Sequence, residues 1–164
     1  MKVLPLLLKE IDQEAQITRK FLKLVTPDNF DWKPHAKSMN MKDLSVHIAE
    51  LPSWVAMALT TSELDFATAP NEPKSVNSTE DLLKILDSSY ASAKSALENA
   101  KEEDLLPTWT LKNDGHVIQE FTKYEVIRHS IGHVAHHRSQ LGVYLRLLDI
   151  PIPGSYGPSA DEMG

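Results

Sequence analysis

The chain has 164 residues, a formal net charge of −6 and no cysteine, and this length fits a single domain over residues 1–164 with one hydrophobic core. The missing cysteines exclude disulfides, iron–sulfur clusters, thiolate zinc sites and a catalytic thiol, so a metal would need His, Asp or Glu ligands. The acidic balance argues against nucleic-acid binding, because phosphate contacts need clustered Lys and Arg. No stretch approaches the roughly 20 apolar residues of a membrane span, so we expect a cytoplasmic protein without a membrane partner.

Two helices are predicted in the first third of the chain. Helical periodicity runs from about Leu4 to Val25, and Pro27 ends it. A second helix is expected from about Met41 to Thr60. Pro52 removes one backbone hydrogen bond inside this helix, so a kink is expected just after His47.

Two further long helices follow. The polar run at residues 77–81 is a strong capping signal, and the third helix extends from there to about Ala100. The fourth runs from about Thr122 to Leu148 and is ended by Pro151 and Pro153. The sequence therefore predicts an all-α fold, a four-helix bundle in which a metal site could form between facing helices.

Three long connections separate the helices, at residues 27–39, 62–77 and 105–120, and all are irregular in pattern. Thr108 to Lys112 and His116 to Gln119 flank a turn in the last connection. They could pair as a short hairpin before the last helix.

Three histidines point to one place in this bundle. At about 100° per residue, His137 lies about 40° from His133 on the apolar face of the fourth helix. His47 lies at the buried edge of the second helix. Imidazoles four residues apart can share an ion, and a third from a facing helix would complete a three-histidine site with an open position, as in catalytic zinc centres. The other reading is that His-x-x-x-His arises by chance and each ring is simply hydrogen-bonded in the interior.

Other polar and aromatic residues have a functional and an ordinary reading. His136 could orient a ligand or lie at a helix interface or on the surface, and Gln140 could donate to a bound water or be a polar flank residue. Tyr90 and Tyr144 could assist proton transfer, or they could be core residues with one satisfied hydroxyl. Glu50 could act as a base, or it could be a solvated carboxylate on the helix surface. Tryptophans could wall a pocket above the metal or fill the core: Trp32, Trp54 and Trp109.

Four stretches resemble a known family. They read HVAHHRSQL at residues 133–141, PIPGSYGPSADE at residues 151–162, WKPH at residues 32–35 and LSVHIAELPSW at residues 44–54. Together they are similar to the second helix, fourth helix and tail of the DinB-like (YfiT-like, damage-inducible) family. Ser139 stands where glycine is common in that family's string, a change that a helix tolerates.

The resemblance implies a four-helix bundle that binds a divalent metal through His47, His133 and His137, the same three residues that the helical wheels select. It also implies a metal-dependent hydrolase or transferase, since some relatives are thiol transferases with small thiol cofactors or a thiol-dependent maleylpyruvate isomerase. Members are often homodimers. The family's damage-inducible name does not imply DNA binding. The outward face of the fourth helix offers only Arg128, Arg138 and Arg146, which are too sparse for a phosphate-binding stripe.

The functional expectation is a divalent-metal-dependent enzyme, of hydrolase or thiol-dependent S-transferase type, acting on a small-molecule substrate. All-imidazole ligation suits zinc, nickel, cobalt, iron or copper. The expected cofactor is a divalent ion, zinc or nickel foremost, with a low-molecular-weight thiol as a further candidate. The alternative is a non-catalytic, metal-stabilised bundle that binds small molecules or serves in a stress response. The sequence identifies neither the substrate nor a general base.

Overall fold

The structure is a computed structural model that describes residues 2–69 and 74–164. The described chain is mainly helical with one small sheet. Its elements are α1 (Leu4–Leu22), α2 (Met41–Glu50), α3 (Ser53–Thr60), β1 (Glu63–Asp65), α4 (Thr79–Asn99), β2 (Thr108–Asn113), β3 (His116–Thr122), α5 (Lys123–Leu147) and α6 (Ala160–Met163), with short 3-10 turns at Pro27–Asn29 and Glu102–Leu105.

The second predicted helix is divided at Pro52. Helix α2 ends at Glu50 and α3 begins at Ser53, so the expected kink is a break between two helices. Pro52 has no N–H to continue the hydrogen-bond ladder, and the Ser53 hydroxyl donates to the freed carbonyl of Glu50 at 2.7 Å. His47 therefore lies in the last turn of α2, one turn before the break.

Side-chain caps fix where the two longest helices begin. Ser78 precedes α4 and its hydroxyl accepts from the backbone N–H of Asp81 at 3.1 Å. Thr122 and Glu125 form a reciprocal capping box at the start of α5, which satisfies N–H groups that have no partner within the helix. The predicted third and fourth helices are confirmed to within two residues at each end.

The predicted hairpin is present, and it belongs to a three-stranded sheet. Strand β2 pairs antiparallel with β3 and parallel with β1, which the sequence did not predict. The turn of the hairpin places Asp114 and Gly115 at positive φ, 51° and 75°. The Asp65 carboxylate accepts from the backbone N–H of both residues, at 2.9 and 2.7 Å, and thereby ties β1 to the turn.

Helix α5 packs against α1, α2 and α3, and α4 packs against the same three helices. Among the described residues, the buried side chains form two apolar clusters, one around Leu22, Leu44 and Leu145 and the other around Leu7, Trp109 and Ile127. In the part of the chain that the structure describes, no helix is both long enough and apolar enough to cross a membrane.

Candidate metal centre

Three imidazole rings converge between α2 and α5. The centroid of the His47 ring lies 5.1 Å from that of His133 and 4.7 Å from that of His137, and the latter two are 4.5 Å apart. One nitrogen of each ring can be chosen so that all three lie within 4.8 Å of one another. The predicted convergence of these three rings is therefore confirmed. All three side chains are half-buried.

The donor set fits a divalent cation. The Nε2 atoms of His133 and His137 lie 2.7 Å apart. A neutral imidazole has one proton for its two nitrogens, so two facing Nε2 atoms need either a proton or a cation between them. The other nitrogen of His133, Nδ1, is buried and has no hydrogen-bond partner among the described residues. The polar contact of the His133 ring is therefore made by Nε2, which faces His137 in the cluster.

The protein environment favours the neutral form of two of these rings. Burial lowers the pKa of His133 to about 4, with further contributions from His137 and His47. Burial also lowers the pKa of His47, and the positive form of His137 adds to that effect, while Glu50 opposes it. Neutral imidazole is the form that binds metal ions, so the fold keeps these rings ready to ligate near neutral pH.

Two polar residues of α5 lie beside the cluster. Gln140 places its Oε1 2.7 Å from Nδ1 of His137 and its Nε2 3.1 Å from Nε2 of His136. His136 is exposed, which fits the surface reading, and its ring lies 4.9 Å from the His137 ring. Gln140 was interpreted from the sequence as a polar flank residue or a donor to water. Its contact with His137 was missed, although the i, i+3 spacing makes such a pair possible.

Glu50 supplies the acidic group next to His47. It lies one turn after His47 on α2, and its carboxylate acts on the pKa of that ring. Lys74 holds it in an ion pair with 3.0 Å between Nζ and Oε1, and both side chains are partly exposed. The pairing was not foreseen, because Lys74 belongs to an irregular connection whose path the sequence does not give.

The aromatic residues are distributed over the fold. Trp32 packs edge-on against Tyr144 at 5.5 Å, and the Tyr144 hydroxyl donates to the carbonyl of Met39 at 3.2 Å. Trp109 is buried in the second apolar cluster and donates to the Thr61 hydroxyl at 2.9 Å. Trp109 is therefore a core residue, and Trp54 is half-buried on α3.

The tyrosines considered for proton transfer are engaged in other contacts. Tyr90 of α4 donates to Asp12 of α1 at 2.8 Å, and burial raises its pKa to about 12. Its hydroxyl therefore stabilises the packing of two helices, and the Tyr144 hydroxyl is held by a backbone carbonyl.

Arg138 lies elsewhere than its charge suggested. The sequence placed it with Arg128 and Arg146 on the outward face of the last helix, but its side chain is 1% exposed. Its guanidinium donates to Glu14 of α1 at 2.5 Å and to the Tyr156 hydroxyl at 2.9 Å. The helix is covered on this face as well, so the outward assignment of Arg138 was wrong.

Comparisons with known proteins agree with the resemblance. The chain is 24% identical over 156 residues to a Bacillus subtilis (strain 168) protein named "Uncharacterized protein YrdA", with 94% of this chain and 89% of that protein covered. That relative's name states no activity.

Solved structures share the fold. A DinB-like protein (YjoA) from Bacillus subtilis superposes with a TM-score of 0.71 at 18% identity, covering 91% of this chain and 96% of that one. A DinB-like protein from Bacillus cereus ATCC 10987 gives a TM-score of 0.70 at 16% identity over 92% and 95%. A third, described as a putative member of the DinB family from Exiguobacterium sibiricum 255-15, gives 0.68 at 20% identity over 94% and 97%. The model of the DinB family matches residues 1–163, and the chain therefore belongs to the DinB family.

Proposed function

We propose that this protein is a divalent-metal-dependent enzyme of hydrolase or thiol-dependent S-transferase type, with His47, His133 and His137 as metal ligands. The carrying observation is the convergence of three half-buried imidazoles whose ligand nitrogens lie within 4.8 Å of one another. Three protein ligands leave a position for water or substrate, which is typical of catalytic rather than structural zinc sites.

A bound zinc or nickel ion would supply Lewis acidity and would lower the pKa of a coordinated water or low-molecular-weight thiol. The three imidazoles hold the site from two helices, so its position depends on the packing of α2 against α5. The carboxylate of Glu50 next to His47 is the group that we propose to accept a proton. That carboxylate also pairs with Lys74, with 3.0 Å between Oε1 and Nζ.

The substrate in this proposal is a small molecule. The site lies between two helices, and the acidic net charge disfavours a nucleic-acid substrate. We also propose a homodimer, as the family resemblance implies, which sedimentation velocity would test. A non-catalytic, metal-stabilised bundle is the alternative. It would be the better account if the ion binds stoichiometrically but no hydrolysis or thiol transfer can be measured.

Elemental analysis of the protein purified without an affinity tag tests the metal site. We expect about one divalent ion per chain in the wild type, a large loss in His47→Ala, and complete loss in His133→Ala/His137→Ala, because too few ligands remain. His116→Ala is the matched control, since His116 is an exposed histidine on β3. Full metal content in the double variant would refute the site. Assays with a panel of small thiols and electrophiles then test the activity, with Glu50→Gln expected to bind metal but to turn over slowly.

A further inference from the structure

Gln140 makes a directed contact with one proposed ligand of the metal. Its Oε1 lies 2.7 Å from Nδ1 of His137, the ring nitrogen that does not contact His133. An amide oxygen only accepts hydrogen bonds. The proton of a neutral His137 ring therefore lies on Nδ1, and Nε2 keeps a free lone pair. This is the nitrogen that faces His133 at 2.7 Å.

The orientation of the Gln140 amide is decisive for this arrangement. Its nitrogen lies 3.1 Å from Nε2 of His136 and donates to it. If the amide were turned by half a rotation, its NH₂ group would donate to Nδ1 of His137 and the ring proton would move to Nε2. That nitrogen could then not ligate a cation without first losing its proton. His136 thus supplies the acceptor that holds the amide in the productive orientation.

We propose that Gln140 is a positioning residue of the metal site, which fixes the tautomer and the ring orientation of His137 and is itself oriented by His136. The inference rests on the proposed function, because it concerns a ligand of the proposed site. Groups that accept the second N–H of a ligating histidine commonly change metal affinity by about 10- to 100-fold when removed. All three side chains of this hydrogen-bonded series lie within two turns of α5: His136, Gln140 and His137.

Two measurements on the same variants test this role. The first is the tautomer of His137 in the metal-free protein, read from long-range ¹H–¹⁵N correlation spectra at pH 8. The second is zinc affinity by competition with a chromogenic chelator. The variants are Gln140→Leu, Gln140→Glu and His136→Ala. The matched control is Gln16→Leu, which removes an exposed glutamine of α1 whose amide donates to Asp12.

In Gln140→Leu we expect the His137 proton to move toward Nε2 and zinc affinity to fall about 10- to 100-fold. Gln140→Glu keeps an oxygen acceptor for Nδ1–H and should retain the wild-type tautomer and affinity. His136→Ala should bind a full equivalent of metal with a smaller loss of affinity than Gln140→Leu, and Gln16→Leu should change neither reading.

An unchanged His137 tautomer in Gln140→Leu would overturn the inference, as would equal losses of affinity in Gln140→Leu and Gln140→Glu. Failure of the wild type to bind zinc would refute the proposed function instead. The tautomer measurement needs no metal, so the two failures can be told apart.

Discussion

The buried ion pair between Arg138 and Glu14 makes a quantitative prediction about stability. The two side chains are 1% and 11% exposed. The guanidinium also donates to the hydroxyls of Thr18 and Tyr156, at 3.1 and 2.9 Å, and the Tyr156 hydroxyl donates to Glu14 at 2.8 Å. Removal of the Glu14 carboxylate leaves a buried cation without its counter-charge, which typically costs about 3–5 kcal/mol.

Glu14→Leu should therefore unfold at a much lower temperature than the wild type. For a domain of this size, 1 kcal/mol corresponds to about 2–4 °C in Tm, so we expect a decrease of roughly 6–20 °C. The double variant Glu14→Leu/Arg138→Met replaces both charges by apolar groups and should recover much of the loss, since such replacements are often neutral or stabilising. Calorimetry of the metal-free protein measures both without a contribution from ion binding.

Arg146→Met is the matched control on the same helix. Arg146 also pairs with a carboxylate, that of Asp161, but in an exposed setting where ion pairs contribute little. A decrease in Tm no larger for Glu14→Leu than for Arg146→Met would refute the reasoning. A double variant no more stable than Glu14→Leu would show that the uncompensated charge is not the cause of the loss.

Two further predictions concern protons and partners. Burial lowers the pKa of His133 to about 4 from its ordinary 6.5, so between these values the unfolded chain binds more protons than the folded one. The metal-free protein should therefore lose stability as the pH falls from about 6.5 toward 4. Thermal melts should show that Tm depends less on pH in His133→Gln than in the wild type, whereas His116→Gln should behave like the wild type. An equal slope of Tm against pH in the wild type and both variants would contradict this. The protein should not bind DNA tightly at physiological salt, because the net charge is −6 and the arginines at positions 128, 138 and 146 of α5 are paired with Glu10, Glu14 and Asp161. Submicromolar, sequence-dependent binding in an anisotropy titration at about 150 mM salt would be the opposing result.

The helices and the meeting of the histidines could be predicted because both depend on local periodicity. Helix ends are marked by capping residues and prolines that lie within a few positions of them in the sequence. The repeat of 3.6 residues per turn decides which side chains share a face of the helix. His133 and His137 are one turn apart on any α-helix, and only one further step was needed to place His47 opposite them. Thr122 and Ser78 likewise begin their helices through bonds to residues three positions later.

The features that the sequence did not predict depend on contacts between distant residues. Strand β1 has three residues and pairs with β2 some distance along the chain, so no periodic pattern marks it. Arg138 lies about 140° from His133 on the helical wheel, beyond the apolar arc. Its charge then suggested an outward position. The apolar arc of the wheel is narrower than the surface of α5 that is buried, because α5 packs against three other helices. The buried charge of Arg138 is compensated by the Glu14 carboxylate of α1.

Helix α5 thus carries two polar sites on different faces, and they are adjacent in sequence. His137 faces α2 and the histidine cluster, while Arg138 faces α1 and the Tyr156 side chain that follows the helix. The buried ion pair ties this turn of α5 to α1, and the Gln140 contact within α5 orients the His137 ring. Such double support is suited to a ligand set that must be held within a fraction of an ångström of its working geometry.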